Sequence, residues 1–126
     1  MKKQFLSVLG LFTVIFLQAQ IRVSPNGHYL MQKNGHPFFW LGDTDWELFH
    51  RLNREETIVF LDTRKKQGFN VLEAVALAEN QGLRTPNRYG DLPLIHFDPT
   101  KLATTPGNNP ADSNEYDYWD HVDFVI

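Results

Sequence analysis

The sequence predicts an α/β fold, the N-terminal part of a (β/α)8 barrel preceded by a β-hairpin and incomplete in this chain. Three observations predict it. A well-signalled helix over about 54–67 runs directly into the apolar segment Phe69–Leu77, the kind of αβ join that parallel sheets use. The earlier apolar segment Pro37–Leu41 is followed by a short helical pattern at 46–52, so two strand–helix units stand in series. A long polar loop then follows the second strand, where barrels of this kind carry their sites. Such a barrel takes eight units and roughly 250 residues, and this chain has 126.

Taken in order, the chain opens with Met1-Lys2-Lys3, an uncharged apolar run from Phe5 to Leu17, and Gln18-Ala19-Gln20. This is the layout of a secretory signal peptide over residues 1–19, with an apolar run too short for a comfortable membrane span. It predicts a secreted or periplasmic protein of residues 20–126, with no membrane association after cleavage, in preference to an uncleaved anchor. Cleavage removes Lys2 and Lys3 from only 12 basic side chains, set against 15 acidic ones. An acidic domain without a basic stripe is a poor partner for nucleic acid. The chain has no cysteine, which excludes disulfides, thiolate metal sites and lipid attachment through a thiol. Aromatic residues make up 13%, and Trp and Tyr suit contact with flat, polar ligands.

His28–Gln32 and Pro37–Leu41 flank Lys33-Asn34-Gly35-His36, a hairpin signal because Asn-Gly tolerates positive φ at both turn positions. Pro25-Asn26-Gly27 marks another turn. Trp46–Leu52 forms a short helix with Leu48, Phe49 and Leu52 on one side. Asn53 reads as the N-cap of the next helix, with Glu56 three residues on as a capping-box partner. Glu55 and Glu56 near its start, and Arg64, Lys65 and Lys66 near its end, complement the helix dipole. Ile58 and Leu61 share a face, and Gly68 fits the position just past the end.

From Glu79 to Ser113 the chain is a polar loop interrupted by Pro86, Pro93, Pro99, Pro106 and Pro110. Loops this long in compact domains are functional or disordered. Glu115–Ile126 places Trp119, Val122, Val125 and Ile126 at helical spacing, with neither a terminal glycine nor a basic last turn. The helix is therefore expected to be cut in mid-pattern and the chain to be a piece of something longer.

The chemistry concentrates in Trp40-Leu41-Gly42-Asp43-Thr44-Asp45-Trp46. Asp43 or Thr44 could cap the short helix while Trp46 fills core. Alternatively, Asp43 and Asp45 accept hydrogen bonds from sugar hydroxyls while Trp40 or Trp46 offers an apolar wall, the mixture a sugar pocket needs. In the loop, Asn87, Arg88, Tyr89 and Asp91 are secondary candidates against a solvated role. The substrate-binding set is thus Asp43, Asp45, Trp46, Trp40 and Tyr89. Tyr116, Tyr118 and Trp119 read as core and helix surface. Asp43-Thr44-Asp45 is also a D-x-D, which metal-dependent glycosyltransferases use to hold a cation against a nucleotide sugar. Three-residue matches are common by chance, no glycine-rich phosphate loop accompanies this one, and the five histidines show no ligand spacing. No metal and no cofactor is expected.

Three stretches carry a family resemblance: NGHYLMQKNGHPFFWLGDTDWELFHRL, REETIVFLDTRKKQGFNVLEAV and YDYWDHVDFVI. Over about 26–126 they resemble the opening of the apiosidase-like catalytic domain, glycoside hydrolase family 140. The resemblance implies a secreted bacterial glycosidase with a TIM-barrel catalytic domain, acting on pectin side chains of the rhamnogalacturonan II kind. Asp45 stands where many relatives carry a small residue. The implied chemistry is acid/base hydrolysis by two carboxylates across the glycosidic bond, and the resemblance places those carboxylates on later strands, beyond Ile126. Glu73 and Glu79 read as strand and loop residues rather than catalysts. The expectation is therefore a polysaccharide- or oligosaccharide-binding part of a hydrolase, inactive alone and lacking the C-terminal part of its barrel. A non-catalytic carbohydrate-binding or structural module is the alternative from another class.

Overall fold

The structure, a computed structural model, describes residues 21–126. The signal peptide expected at 1–19 lies outside the described residues. The described residues divide into two compact units, 21–39 and 40–126.

In the first unit, β1 (Ile21–Val23) pairs antiparallel with β2 (Leu30–Gln32), Arg22 opposite Met31. The connection is built on Ser24, which is buried and accepts from the backbone N–H groups of His28 and Tyr29 while donating to Asn26 Oδ1 at 2.7 Å. Gly27 at φ 75° completes the turn, a conformation open to glycine at little cost. The Asn-Gly turn also forms, with Gly35 at φ 89°, but its outgoing arm is a single bridge between Met31 and Pro37. Proline has no N–H for a ladder, so the hairpin expected there shrinks while the upstream turn joins the longer pair.

The second unit carries a parallel pair, β3 (Gly42–Asp45) and β4 (Val71–Ala74), with Asp43 opposite Leu72 and Thr44 opposite Glu73. The strand therefore lies on Gly-Asp-Thr-Asp itself, not on the preceding Pro37–Leu41. Pairing starts where Asn70 reaches across: its Oδ1 accepts from Leu41 N–H at 2.9 Å, and its own N–H donates to the Leu41 carbonyl. Between the strands come α1 (Leu48–Arg51) and α2 (Arg54–Lys66). Asn53 caps α2 reciprocally, accepting from Glu56 N–H at 2.8 Å while Glu56 Oε2 accepts from Asn53 N–H at 2.9 Å. After β4 the long segment contains one 3₁₀ turn, Ile95–Phe97, before α3 (Tyr118–Val125), which Asp117 caps in the same reciprocal way.

The core lies between β4 and the helices. Phe49, Tyr118 and Val122 are buried together, with Ala74, Ala76, Trp119 and Val125 packed against them. Tyr118 also donates to the Ala76 carbonyl at 2.7 Å, and burial pushes its phenol up to about 12. Trp119 Nε1–H reaches the Pro93 carbonyl at 2.8 Å, tying the loop to α3.

A polar relay crosses this core. His121 is fully buried, and its Nε2 lies 2.9 Å from the Leu52 carbonyl. A carbonyl only accepts, so Nε2 carries the proton and Nδ1 accepts from the Tyr116 hydroxyl at 3.3 Å. Tyr116 oxygen in turn accepts from Arg54 Nη1 at 3.3 Å. The Arg54 guanidinium stacks on Phe124 with 3.6 Å to the ring centroid. Burial, and to a smaller extent Arg54, hold His121 below the ordinary histidine value of 6.5, outweighing the opposing Leu52 hydrogen bond.

A depressed histidine makes stability fall on acidification. Below pH 6.5 the unfolded chain takes up the proton that the folded chain resists, so the contribution is present above 6.5 and lost as pH falls toward the folded value. The urea midpoint should therefore drop between pH 7.5 and 5.5, and a rise would contradict the relay. Tyr116→Phe strips Nδ1 of its donor and should cost about 1–3 kcal/mol at pH 7.5 in the same assay.

Candidate functional site

Successive residues of a strand face opposite sides, and paired residues share a side. Asp43, Asp45, Leu72 and Ala74 thus face the helices, as the packing of Ala74 shows. Gly42, Thr44, Val71 and Glu73 form the opposite face, on which Thr44 and Glu73 are exposed. A groove of about 520 Å³ runs along this sheet, bounded by Trp40, Asp43, Thr44 and Glu73. The Trp40 indole lies across Gly42: a Cβ there would stand 3.1 Å from Trp40 Nε1. Glycine therefore lets the ring lie close over the strand. Among the described residues, the Glu73 carboxylate has no hydrogen-bond or ion-pair partner. An aromatic face, a hydroxyl and a carboxylate are thereby gathered on one side of two adjacent strands.

The sequence-predicted residues divide. Trp40 and Asp43 border the groove. The Asp43 carboxylate is ion-paired with Arg64 of α2, whose guanidinium also donates to Gln67 Oε1 at 3.0 Å and lies over the rings of Phe60 and Phe69. Asp43 thus pins α2 to the sheet. Asp45 Oδ1 accepts from Glu47 N–H at 3.1 Å, closing the turn into α1, whose own N-cap, Glu47, makes no side-chain cap. Trp46, at the carboxyl end of β3, is half exposed.

Tyr89 is elsewhere. Its hydroxyl accepts from Arg54 N–H at 2.9 Å at the start of α2, and its ring packs edge-on against Tyr116 and His121. It borders a separate concavity with Asn53 and Arg54. Asn87, a secondary candidate, is buried and folds the loop by accepting from the N–H groups of Tyr89 and Asp91. Burial, reinforced by Asp117 and Asp120, raises the Asp91 carboxyl above its ordinary value.

Thr44 and Glu73 escaped the reading of the sequence as site residues. The signal was present in the alternation: Glu73 is the one charged residue between the apolar, helix-facing Leu72 and Ala74, so it must emerge on the other side. Among the described residues, no three His, Cys, Asp or Glu side chains are gathered as a metal site.

A parallel pair joined by crossover helices is the unit of α/β folds, and the proteins this chain resembles are glycoside hydrolases by description. The chain resembles a glycoside hydrolase family 5 protein from Bacteroides vulgatus, with 36% identity over 84% of this chain and a TM-score of 0.59. It also resembles a structure described as a glycoside hydrolase, with 37% identity over 84% of this chain and the same TM-score. It covers 21% and 22% of those two chains, about a fifth of each. No curated protein matches. The family model of the apiosidase-like catalytic domain matches residues 24–126. The chain belongs to that family.

Two carboxylates a residue apart in register now have different roles, and unfolding separates them. Asp43→Asn breaks a half-buried ion pair and should cost about 1 kcal/mol after allowance for solvent screening. Glu73→Gln, on the open face, should stay within about 0.5 kcal/mol of the parent protein. Urea denaturation of both variants checks this; equal losses would contradict the assignment.

Proposed function

We infer that the chain supplies the first two β/α units of a glycoside hydrolase barrel, with the open Thr44 and Glu73 face turned to the interior and the carboxyl ends of β3 and β4 turned toward the substrate. The carrying observation is that this face is open while the opposite one is packed against helices. In a barrel the face away from the helices is the interior, and its carboxyl-end rim holds the substrate. Trp46, half exposed at that rim, offers a ring for the apolar face of a sugar, and Asp45 stands beside it. Thr44 and Glu73 bind hydroxyls, while Trp40 lies at the amino end of β3. Tyr89 acts from the second loop by holding the start of α2.

Glycoside hydrolysis of the common kind needs two carboxylates flanking the bond, about 5–10 Å apart. Among the described residues the open face carries one, Glu73. The hydrolytic pair therefore draws on further units of the same barrel, and the chain alone binds without cleaving. Family membership supports a pectic side chain bearing apiose as the substrate. The basic start and apolar run of residues 1–19 support secretion, with the polysaccharide met outside the cell.

Mixed with apiose-bearing pectic oligosaccharides, the chain should show a change in tryptophan fluorescence that Trp46→Ala largely removes, and release no apiose. Apiose release by the chain alone, or an undiminished response in Trp46→Ala, would contradict the proposal.

A further inference from the structure

Helix α2 has two unlike faces. Thr57 is buried, and Phe60, Leu61 and Arg64 are half-buried. The opposite stripe is open: Glu55, Ile58, Val59, Asp62, Lys65 and Lys66 are all exposed. The solvent face of a surface helix ordinarily carries polar side chains, yet Ile58 and Val59 are 51% and 65% exposed in the middle of this one. The charges on either side are segregated, acidic in the first turn and basic in the last. Glu56 is committed to the cap with Asn53. The side chains of Glu55, Lys65 and Lys66 make no hydrogen bond or ion pair among the described residues. Glu55 and Lys66 stand about three turns apart, on one line along the helix.

We propose that this stripe is a docking surface for a second copy of the chain, the two α2 helices packing antiparallel about a two-fold axis through their midpoints. A surface recognises its own copy when the two-fold operation brings complementary groups together. The antiparallel arrangement does so here: Glu55 of each copy faces Lys66 of the other, and the acid–base contact is made twice. Ile58 and Val59 come together between these contacts and leave water. A parallel arrangement would set Glu55 against Glu55 and Lys66 against Lys66, and like-charge repulsion opposes it. Asp62 sits one turn from Lys66 of its own helix, at the spacing of a favourable pair, which limits repulsion between its two copies near the axis. A pair of helices this short buries less than the roughly 1,200 Å² of stable interfaces, so the dimer is weak and concentration-dependent. Because α2 runs opposite to the strands it connects, the carboxyl ends of β3 and β4 in the two copies point in opposite directions. Neither rim is covered.

Sedimentation velocity of the full chain, from low micromolar to near-millimolar concentration at low salt, tests this. The average mass should rise toward that of a dimer, and less so at high salt, where exposed charges are screened. Glu55→Lys and Lys66→Glu should each weaken association about tenfold, since each sets like charges together at both ends. An equimolar mixture of these two variants should recover it, because unlike charges meet again at both ends. Val59→Ser should weaken association while leaving the circular dichroism spectrum unchanged. A chain that stays monomeric throughout, or a mixture that associates no better than its components, would overturn the proposal. Association undiminished in both Val59→Ser and Glu55→Lys would put the contact on another surface, such as the open edges of β3 and β4, and overturn it equally.

Discussion

His121 has both ring nitrogens committed inside the core, and the arrangement of the second unit depends on that commitment. Nε2–H satisfies the Leu52 carbonyl at the end of α1, and Nδ1 takes the Tyr116 hydroxyl just before α3. Arg54 completes the chain from the first turn of α2, where Tyr89 meets its backbone N–H. One imidazole thus joins two helix junctions and the long segment between β4 and α3. Fully paired polar networks of this kind specify a single packing, because breaking any member leaves a buried group unsatisfied. Apolar packing of Phe49, Tyr118 and Val122 supplies the bulk of the attraction but does not by itself set the register of α3 on α1 and α2.

The same distribution of contacts decides which face of the sheet stays open. The helices cover the side of Leu72 and Ala74, and Arg64 reaches Asp43 on that side through an ion pair flanked by Phe60 and Phe69. What remains uncovered is the Gly42, Thr44, Val71 and Glu73 side, with Trp40 laid over the glycine. Function in this reading follows from packing: the residues that hold the helices are unavailable to a ligand, and their alternates are presented to it. The aspartates that dominate the sequence motif are largely spent on structure, one on α2 and one on the turn into α1.

Local chemistry was legible in the sequence. The capping box at Asn53 and Glu56, the charge gradient along 54–66 and the stop at Gly68 are short-range signals, and α2 lies within a residue of where they place it. The strand at Gly42–Asp45 was not legible, because its start is set by Asn70, 29 residues away. Tyr89 read as a decoration on a loop, yet its hydroxyl meets α2 at a separation of 35 residues, and His121 reaches Leu52 across 69. Propensity and spacing contain no information about such pairings. The open face was half legible: the alternation around Glu73 indicated a polar side, but which side the helices would cover follows only from the packed structure.

The central claim is that ligand meets the uncovered face of β3 and β4. Backbone amide chemical-shift mapping during titration with a neutral apiose-bearing oligosaccharide tests it most directly. Perturbations should cluster at Gly42–Trp46 and Val71–Ala74, with the interior of α2 unaffected. Perturbations confined to Ile21–Phe39, or to the solvent side of α2 and α3, would contradict it.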